Sequence, residues 1–381
     1  MKKKVSCVID FGQSYLKFNL ITGKYEVART LIKKNNFKIS RDGFSFYDGL
    51  KIEKIIKSYI IKISKTYNIT SIVPISHGSA CFFLSKDNTI KNGFHFSSIF
   101  NYKKTLKLYN KLLPKFNETF TPNYKNFHNL GKNIFISCID DNNLELMTMP
   151  SFISWLFTKK NIIDPSYISC HSHLWNFKKK KISNLIKNIS VKIPIIKNSG
   201  TLIGDFNDTK SKIYNGMHDT SAAFHFHRNF FKDRNSIFLS TGTTFVFGKF
   251  LNTINNIKKN TGFYYLLPID QTGGILSRRF HGGLMFEKLQ KRKTPSVNKL
   301  LALYTIKELN KYSKYETFLN LNLIIDGPFS KNKDFLFCLK KYKKNISIYC
   351  AMNKNTPSLG IIHLCNKQKI KLSLTDYYKK I

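Results

Sequence analysis

Two stretches far apart in this 381-residue chain share one pattern, and that repetition limits the fold more than any other feature. The first is the β-branched, apolar run Val5-Ser6-Cys7-Val8-Ile9, which bends at Gly12 and continues with Leu16, Phe18 and Leu20 alternating on one face. The second runs Ser236-Ile237-Phe238-Leu239, bends through Ser240-Thr241-Gly242-Thr243, and continues as Phe245-Val246-Phe247-Gly248. Each reads as strand, tight turn, strand, and each turn sets glycine beside hydroxyl side chains (Ser14; Ser240, Thr241 and Thr243). One such hairpin near the start of each half predicts two similarly built lobes facing each other.

The rest of the chain supplies strands and helices in both halves. Ile52, Ile55, Ile56, Tyr59, Ile60 and Ile63 recur at helical spacing with lysines between them. Met149 to Phe157 is apolar nearly all round and reads as a buried helix, with Pro150 tolerated in its first turn. Ser296 is placed to cap a helix running to Tyr304. Strands are expected at Ser71 to Ile75, at Cys81 to Leu84, and at Leu321 to Ile325, the last running into Asp326-Gly327-Pro328 and a helix from about Lys333 to Tyr342. Between Asn101 and Ser190 the periodicity is weaker. This mixture argues for an α/β fold, and 42% hydrophobic residues over this length are enough for two cores.

The formal net charge of +41 invites a nucleic-acid reading. The lysines, however, are spread along the chain in pairs such as Lys33-Lys34 and Lys159-Lys160, and the one dense run, Lys178 to Lys181, follows a turn-like segment. No specific nucleic-acid partner is expected, although the charge steers anionic ligands in general. Seven scattered cysteines without a Cys-x-x-Cys pair point to reduced thiols and a cytoplasmic location. The basic start and short apolar run break at Asp10, too soon for a signal peptide, and no stretch is long enough to span a membrane. A monomer or homodimer fits these features.

Neither a G-x-x-x-x-G-K-[ST] loop nor a G-x-G-x-x-G after a strand is present. Gly273-Gly274 and Gly282-Gly283 read as lacking a following helix and an acidic partner. Any phosphate must therefore be held by turns that offer backbone N–H and hydroxyl donors. A lone aspartate at a helix end is ordinarily a cap. Asp219 stands out because Gly216 and the small run Thr220-Ser221-Ala222-Ala223 let a helix pack close at a cleft floor. His171-x-His173 and His225-x-His227 have no acidic or cysteine neighbour at ligand spacing and read as ordinary histidines. Trp175 reads as core, and Lys17 as either a phosphate partner or a solvated side chain.

Asp10-Phe11-Gly12-Gln13-Ser14-Tyr15-Leu16-Lys17 resembles the first phosphate motif of the FGGY carbohydrate kinases, within the actin-like ATPase superfamily. Ser240 to Thr243 resembles their second phosphate motif, Ile325 to Asn332 their adenosine motif, and Gly216 to Ala223 the segment bearing the catalytic aspartate. The four occur in the family's order and cover the chain from Asp10 to about Leu364. His218-Asp219-Thr220, the loop His77-Gly78-Ser79-Ala80 and Arg278 to Gly283 are similar to the rhamnulokinase-like and L-fuculokinase-like branch.

The resemblance implies two actin-like ATPase (ribonuclease H-like) lobes with a cleft between them. Residues 1–230 would bind sugar and phosphate, and a shortened 231–381 would bind ATP. It implies Mg²⁺-dependent transfer of the γ-phosphate of ATP to a hydroxyl of a small-molecule sugar, a ketose of the rhamnulose, fuculose or xylulose kind, in carbohydrate catabolism. Asp219 would accept the hydroxyl proton, with His77, Gly78, His218 and Thr220 against the sugar. Asp10, Gly12, Gln13, Ser14, Lys17, Thr241, Gly242, Thr243, Gly327 and Asn332 would lie along the nucleotide, with Asp10 also serving the metal. Two departures point toward weakened ATP use: Gln13 stands where many members have Thr, and Ile361 and Ile362, in place of a Gly-Ala-Ala pattern, are expected to crowd the adenine pocket. A catalytically weakened sugar- or nucleotide-binding regulatory protein is the alternative reading.

Overall fold

β-Branched and aromatic residues alternate or run unbroken in the segments that become strands, and the strands assemble into two sheets of the same design. The computed structural model describes residues 1–36, 38–39, 45–95, 103–123, 129–138, 143–232, 235–315, 320–353, 355–366 and 373–381. Among the described residues each large sheet has seven strands.

The first contains β1 (Lys3–Phe11), β2 (Tyr15–Ile21), β3 (Val27–Lys34), β4 (Tyr67–Ser76), β5 (Leu202–Phe206), β6 (Ser211–Tyr214) and β7 (Met217–His218), in the order β5-β6-β4-β1-β2-β3 with β7 also on β4. The second contains β8 (Ser236–Ser240), β9 (Phe245–Leu251), β10 (Phe263–Leu266), β11 (Gly274–Phe280), β12 (Leu321–Asp326), β13 (Ile346–Ala351) and β14 (Tyr378–Lys380), in the order β10-β11-β9-β8-β12-β13-β14. In both, a hairpin leads and a third antiparallel strand joins its outer arm. The inner arm then pairs in parallel with a strand that follows a crossover: β1 with β4, and β8 with β12. The repeat in the sequence is a repeat in topology.

The helices follow the patterning. α1 (Gly49–Ser64) buries Ile52, Ile56, Ile60 and Ile63 and is capped by Asp48, whose carboxylate accepts from the Lys51 N–H. α2 (Met149–Thr158) is buried on nearly every side, as its composition requires. α3 (Asp219–Phe230), α4 (Gly282–Lys291), α5 (Val297–Asn310), α6 (Lys333–Tyr342) and α7 (Thr356–Cys365) complete the set used below. Two expectations are corrected here. Gly282-Gly283 does open a helix, α4, because the chain turns directly out of β11. Ser296 precedes α5 but makes no side-chain capping bond; its backbone is left-handed (φ +57°), not the extended conformation of a capping residue.

Among its described residues the segment of weak periodicity also holds regular elements: helices Lys103–Leu112 and Leu130–Ser137 lie there, and its strand Leu144–Thr148 joins Cys81–Leu84, Ile90–Asn92 and Val191–Lys192 in a small sheet. Trp175 is buried, as expected of a core residue. No described helix is long and apolar enough to cross a membrane, and all seven cysteines are unbridged.

α7 crosses from the second half of the chain onto the first sheet. A Cβ on Gly360 would lie 2.0 Å from the Ala222 carbonyl oxygen, so glycine there is what lets α7 and α3 touch backbone to backbone. The contact turns Ile361 and Ile362 into a core cluster with Val8, Val73, Ile75 and Met217. The expected crowding of an adenine pocket is therefore not what these side chains do. They are 0% and 1% exposed and fill the core.

Candidate active site

The register of the first sheet brings three strand ends together. Phe11 on β1 stands opposite Ser76 on β4, and His218 on β7 stands opposite the same Ser76, all three strands running parallel. Asp10, the His77-Gly78 loop and Asp219 therefore emerge side by side at the carboxyl edge, where α/β sheets place their ligands. The second sheet does the same with Ser240 and Asp326, which are register partners on β8 and β12.

Between the two edges lies a cavity of about 230 Å³. The first lobe contributes Gln13, His77, Gly78, His218, Asp219 and Thr220. The second contributes Ser240, Thr244, Tyr264 and Arg279.

Asp219 is the first residue of α3. One carboxylate oxygen, Oδ1, accepts from the Thr220 N–H at 2.5 Å and the Thr220 hydroxyl at 3.1 Å, and lies 3.5 Å from His218 Nε2. Burial raises its pKa above the ordinary carboxylate value, partly offset by His77, these hydrogen bonds and Lys17. His218 is buried against Cys170, whose Sγ lies 3.4 Å from Nε2, while Nδ1 meets the Ser221 hydroxyl at 3.1 Å. Burial pushes its pKa down to about 4, so it stands beside Asp219 as a neutral ring.

His77 is held as firmly. Its Nδ1–H donates to the Gly78 carbonyl at 2.8 Å, which leaves Nε2 to accept from the Tyr47 hydroxyl at 3.2 Å. Tyr47 in turn accepts from His95 Nε2 at 3.1 Å. The loop is pinned from below by the Tyr167 hydroxyl, 3.0 Å from the His77 carbonyl and 2.7 Å from that of Ala80. Burial lowers the His77 pKa as well. The wall facing Asp219 is thus rigid and rich in hydrogen-bonding groups.

The residues expected along a nucleotide divide into groups. Gly12, Gln13 and Ser14 form the first turn, closed by the Gly12 N–H to the Tyr15 carbonyl at 2.9 Å. Asp10 and Lys17 face each other across β1 and β2, with Nζ 3.2 Å from Oδ2. Lys17 is therefore an ion-pair partner of the strand-end carboxylate. Asp10 has its pKa raised by burial, lowered by Lys17, and raised again by Asp219, so the two carboxylates sense each other.

In the second lobe Thr241 is buried and its hydroxyl donates to the Asp326 carbonyl at 2.5 Å while accepting from the Phe329 N–H at 3.2 Å. Gly327 has φ +90°, and a Cβ there would lie 2.0 Å from the Thr241 carbonyl oxygen, so this turn requires glycine. Gly242 and Thr243 complete the turn, with Thr243 exposed. The Asn332 side chain caps α6, accepting from the Phe335 N–H at 3.0 Å, and also donates to Asn298.

Several lining residues carried no role from sequence. Arg279, which entered only within the segment Arg278 to Gly283, is the most instructive, because strand alternation separates it from its neighbour. Arg278 points to the far face of β11, where it contacts Glu308 and the Thr261 carbonyl. Arg279 therefore takes the cavity face with its register partner Val246. Among the histidines, His171 lines the cavity. His173 is bonded to Asn129, Tyr109 and the Thr121 carbonyl, and His227 to Asp326, a carboxylate distant in sequence.

No protein-family model matches the sequence, and no curated protein does. Solved structures do match. A carbohydrate kinase from Novosphingobium aromaticivorans superposes with a TM-score of 0.82 at 17% identity, covering 94% of this chain and 93% of that one. Plasmodium falciparum glycerol kinase with ADP gives 0.78 at 15% identity, over 95% and 89%. A ligand-bound xylulose kinase from Lactobacillus acidophilus gives 0.79 at 12%, over 99% and 93%. The chain has the two-lobed fold of the carbohydrate kinases. At these identities the likeness is one of fold, and the chemistry must be argued from the residues of the cleft.

Proposed function

We propose that this chain is an ATP-dependent carbohydrate kinase that transfers the γ-phosphate to a sugar hydroxyl, with a ketose of the rhamnulose, fuculose or xylulose kind as acceptor. The observation that carries the reading is the position of Asp219. It is a partly buried carboxylate with a raised pKa at the start of α3, in a cavity that both lobes line and that the two glycine–hydroxyl hairpins flank. Residues 1–230 act as the sugar-binding lobe and 231–381 as the nucleotide lobe. With its unbridged cysteines the enzyme is assigned to the cytoplasm.

Phosphoryl transfer through a loose transition state asks the protein for positioning and charge stabilisation. Asp219 accepts the proton of the attacking hydroxyl. Its raised pKa makes it a better proton acceptor than an exposed aspartate. His77, His218 and Thr220 orient the sugar against it, and Arg279 brings a guanidinium from the opposite lobe toward the transferred group. No group of three or more His, Cys, Asp or Glu side chains able to hold a metal exists among the described residues. A single strand-end carboxylate, Asp10, fits Mg²⁺ carried in on ATP with most of its water shell, and that ion would supply charge neutralisation between the phosphates.

The test is an ADP-release assay with Mg-ATP across ketoses, pentuloses, polyols and sugar acids. An accepted substrate is expected, and Asp219→Asn should lower its kcat by about 10²- to 10⁴-fold with ADP affinity retained. Turnover by D219N near the wild-type rate would remove Asp219 as the base. Activity on none of the sugars would favour a ligand-binding regulator on the same fold.

A further inference from the structure

α3 carries the candidate base at its first residue, and eight residues on, about 12 Å along the axis at 1.5 Å per residue, it carries a histidine that the mechanism above does not use. His227 is 1% exposed. Its Nδ1 lies 2.6 Å from the Tyr378 hydroxyl on β14, and its Nε2 lies 3.2 Å from Asp326 Oδ2 at the end of β12. Because a carboxylate only accepts, Nε2 is the protonated nitrogen and Nδ1 accepts from the tyrosine. Burial holds the Tyr378 hydroxyl well above its ordinary pKa, which keeps it a donor.

Asp326 is a hub. Its other carboxylate oxygen, Oδ1, accepts from the Gly327 N–H at 2.7 Å. Its main-chain carbonyl accepts from both the N–H and the hydroxyl of Thr241, at 2.8 Å and 2.5 Å. The two turns of the second lobe expected along the nucleotide, Thr241 to Thr243 and Gly327, are thus both fastened to one residue. That residue's carboxylate is fastened to α3.

We propose that His227 is a positioning residue, which sets the second lobe's two nucleotide turns against the helix that carries Asp219. The inference rests on the kinase reading. The chain of bonds Tyr378, His227, Asp326, Gly327 joins the C-terminal strand, the interlobe helix and the nucleotide turn through buried polar groups, and each is costly to leave unmade. A helix is stiff over this length, so the turns and the base are held in one frame. Loss of the Nε2 donor leaves the Asp326 carboxylate short of a partner, free to draw the Gly327 turn toward another donor. The nucleotide senses this directly, whereas the sugar, bound against His77 and His218, does not.

The experiment is calorimetric ADP binding to the full chain, with KM for the sugar and unliganded Tm measured in parallel. His227→Leu should weaken ADP by about tenfold while the sugar KM stays within about twofold of wild type. His227→Gln, whose amide again offers a donor toward Asp326, should restore most of that loss, and Tyr378→Phe should weaken ADP by about threefold. Should H227L not fold, Y378F and H227Q carry the test. Lower Tm with unchanged ADP affinity in all variants would reduce His227 to packing and overturn the proposal, as would equal losses for ADP and sugar. A wild-type chain that binds no ADP would remove the kinase reading, and this one with it.

Discussion

The two lobes begin with the same hairpin and equip it differently. In the first, the strand-end position holds Asp10, matched across the ladder by Lys17 at 3.2 Å, and the turn beyond it exposes Gln13 and Ser14. In the second, the corresponding position holds Ser240, matched by Val246, and the turn beyond it is locked inward by Thr241 and closed by Gly327, the residue after β12. One edge presents charge, and the other presents backbone and hydroxyl groups on a fixed frame. In the kinase reading proposed above, a phosphoryl donor with its metal would use both. Asp10 would hold the cation that neutralises the developing anion, and the uncharged frame would hold the nucleotide without adding charge that must be desolvated.

The comparison breaks most visibly at Asp10. Asp10→Asn keeps the shape of the first edge and removes its charge, leaving Lys17 unpaired; kcat should fall by about 10²- to 10³-fold, as for other pre-organised electrostatic groups. Ser240→Ala, the matching change on the second edge, removes one neutral hydrogen-bonding group and should cost about fivefold. Steady-state kinetics with Mg-ATP on both variants decides it, and equal losses would mean that the two edges share one role.

The second edge should fail through geometry instead. Gly327→Ala places a methyl 2.0 Å from the Thr241 carbonyl in a backbone of φ +90°. The strain is on the order of 1–3 kcal/mol, and ADP affinity should drop by about tenfold or more. An alanine variant binding ADP like wild type would show that this turn does not touch the nucleotide.

How much of this was legible in the sequence follows from the range of each signal. The hairpins, α1, α2 and the strand ends were readable because apolar period and turn chemistry are local. So was the place of Asp219 at the start of a closely packed helix, through its small neighbours. The ion pair of Lys17 with Asp10 was not, because it depends on cross-strand register. The partner of His227 lies in another sheet, and no spacing along the chain announces it. Ile361 and Ile362 misled because a motif position says where a residue falls in the chain, while the face it presents is set by the closeness of Gly360 to Ala222. Arg279 was within reach: alternation along β11 already separates it from Arg278.

Acid should distinguish the lobes next. His173 and His218, both buried in the first lobe, have pKa values pushed down to about 4 by burial. The unfolded chain, with histidines near 6.5, binds more protons between those values. Each imidazole therefore costs stability as the pH drops through that window, by on the order of 3 kcal/mol at its lower end, while the buried Asp164 of the same lobe, its carboxyl raised to about 6, offsets about one of the two over the same range. Hydrogen exchange followed from pH 7 to pH 4.5 should show the strands of the first sheet losing protection before β8 and β12. Loss in the opposite order would mean that the first lobe's histidines are solvated. Activity should weaken over the acid side too, because a base whose pKa is raised is protonated at a higher pH than a free aspartate.

The smallest effect belongs to Gln13, where the family-like pattern would have threonine. The first turn is exposed at this residue and is closed by bonds to its own main chain, the Gly12 N–H to the Tyr15 carbonyl and the Asn35 side-chain amide to the Gly12 carbonyl at 2.6 Å. Its shape does not depend on the Gln13 side chain. A phosphate met there is met first by backbone N–H groups, which Gln13→Thr leaves in place. The substitution adds one hydroxyl, and a single neutral hydrogen bond is worth about 1 kcal/mol, so KM for ATP should improve by no more than about fivefold with kcat unchanged. A gain of a hundredfold would mean that this edge, like the second, relies on its hydroxyls, and the contrast between the lobes would close.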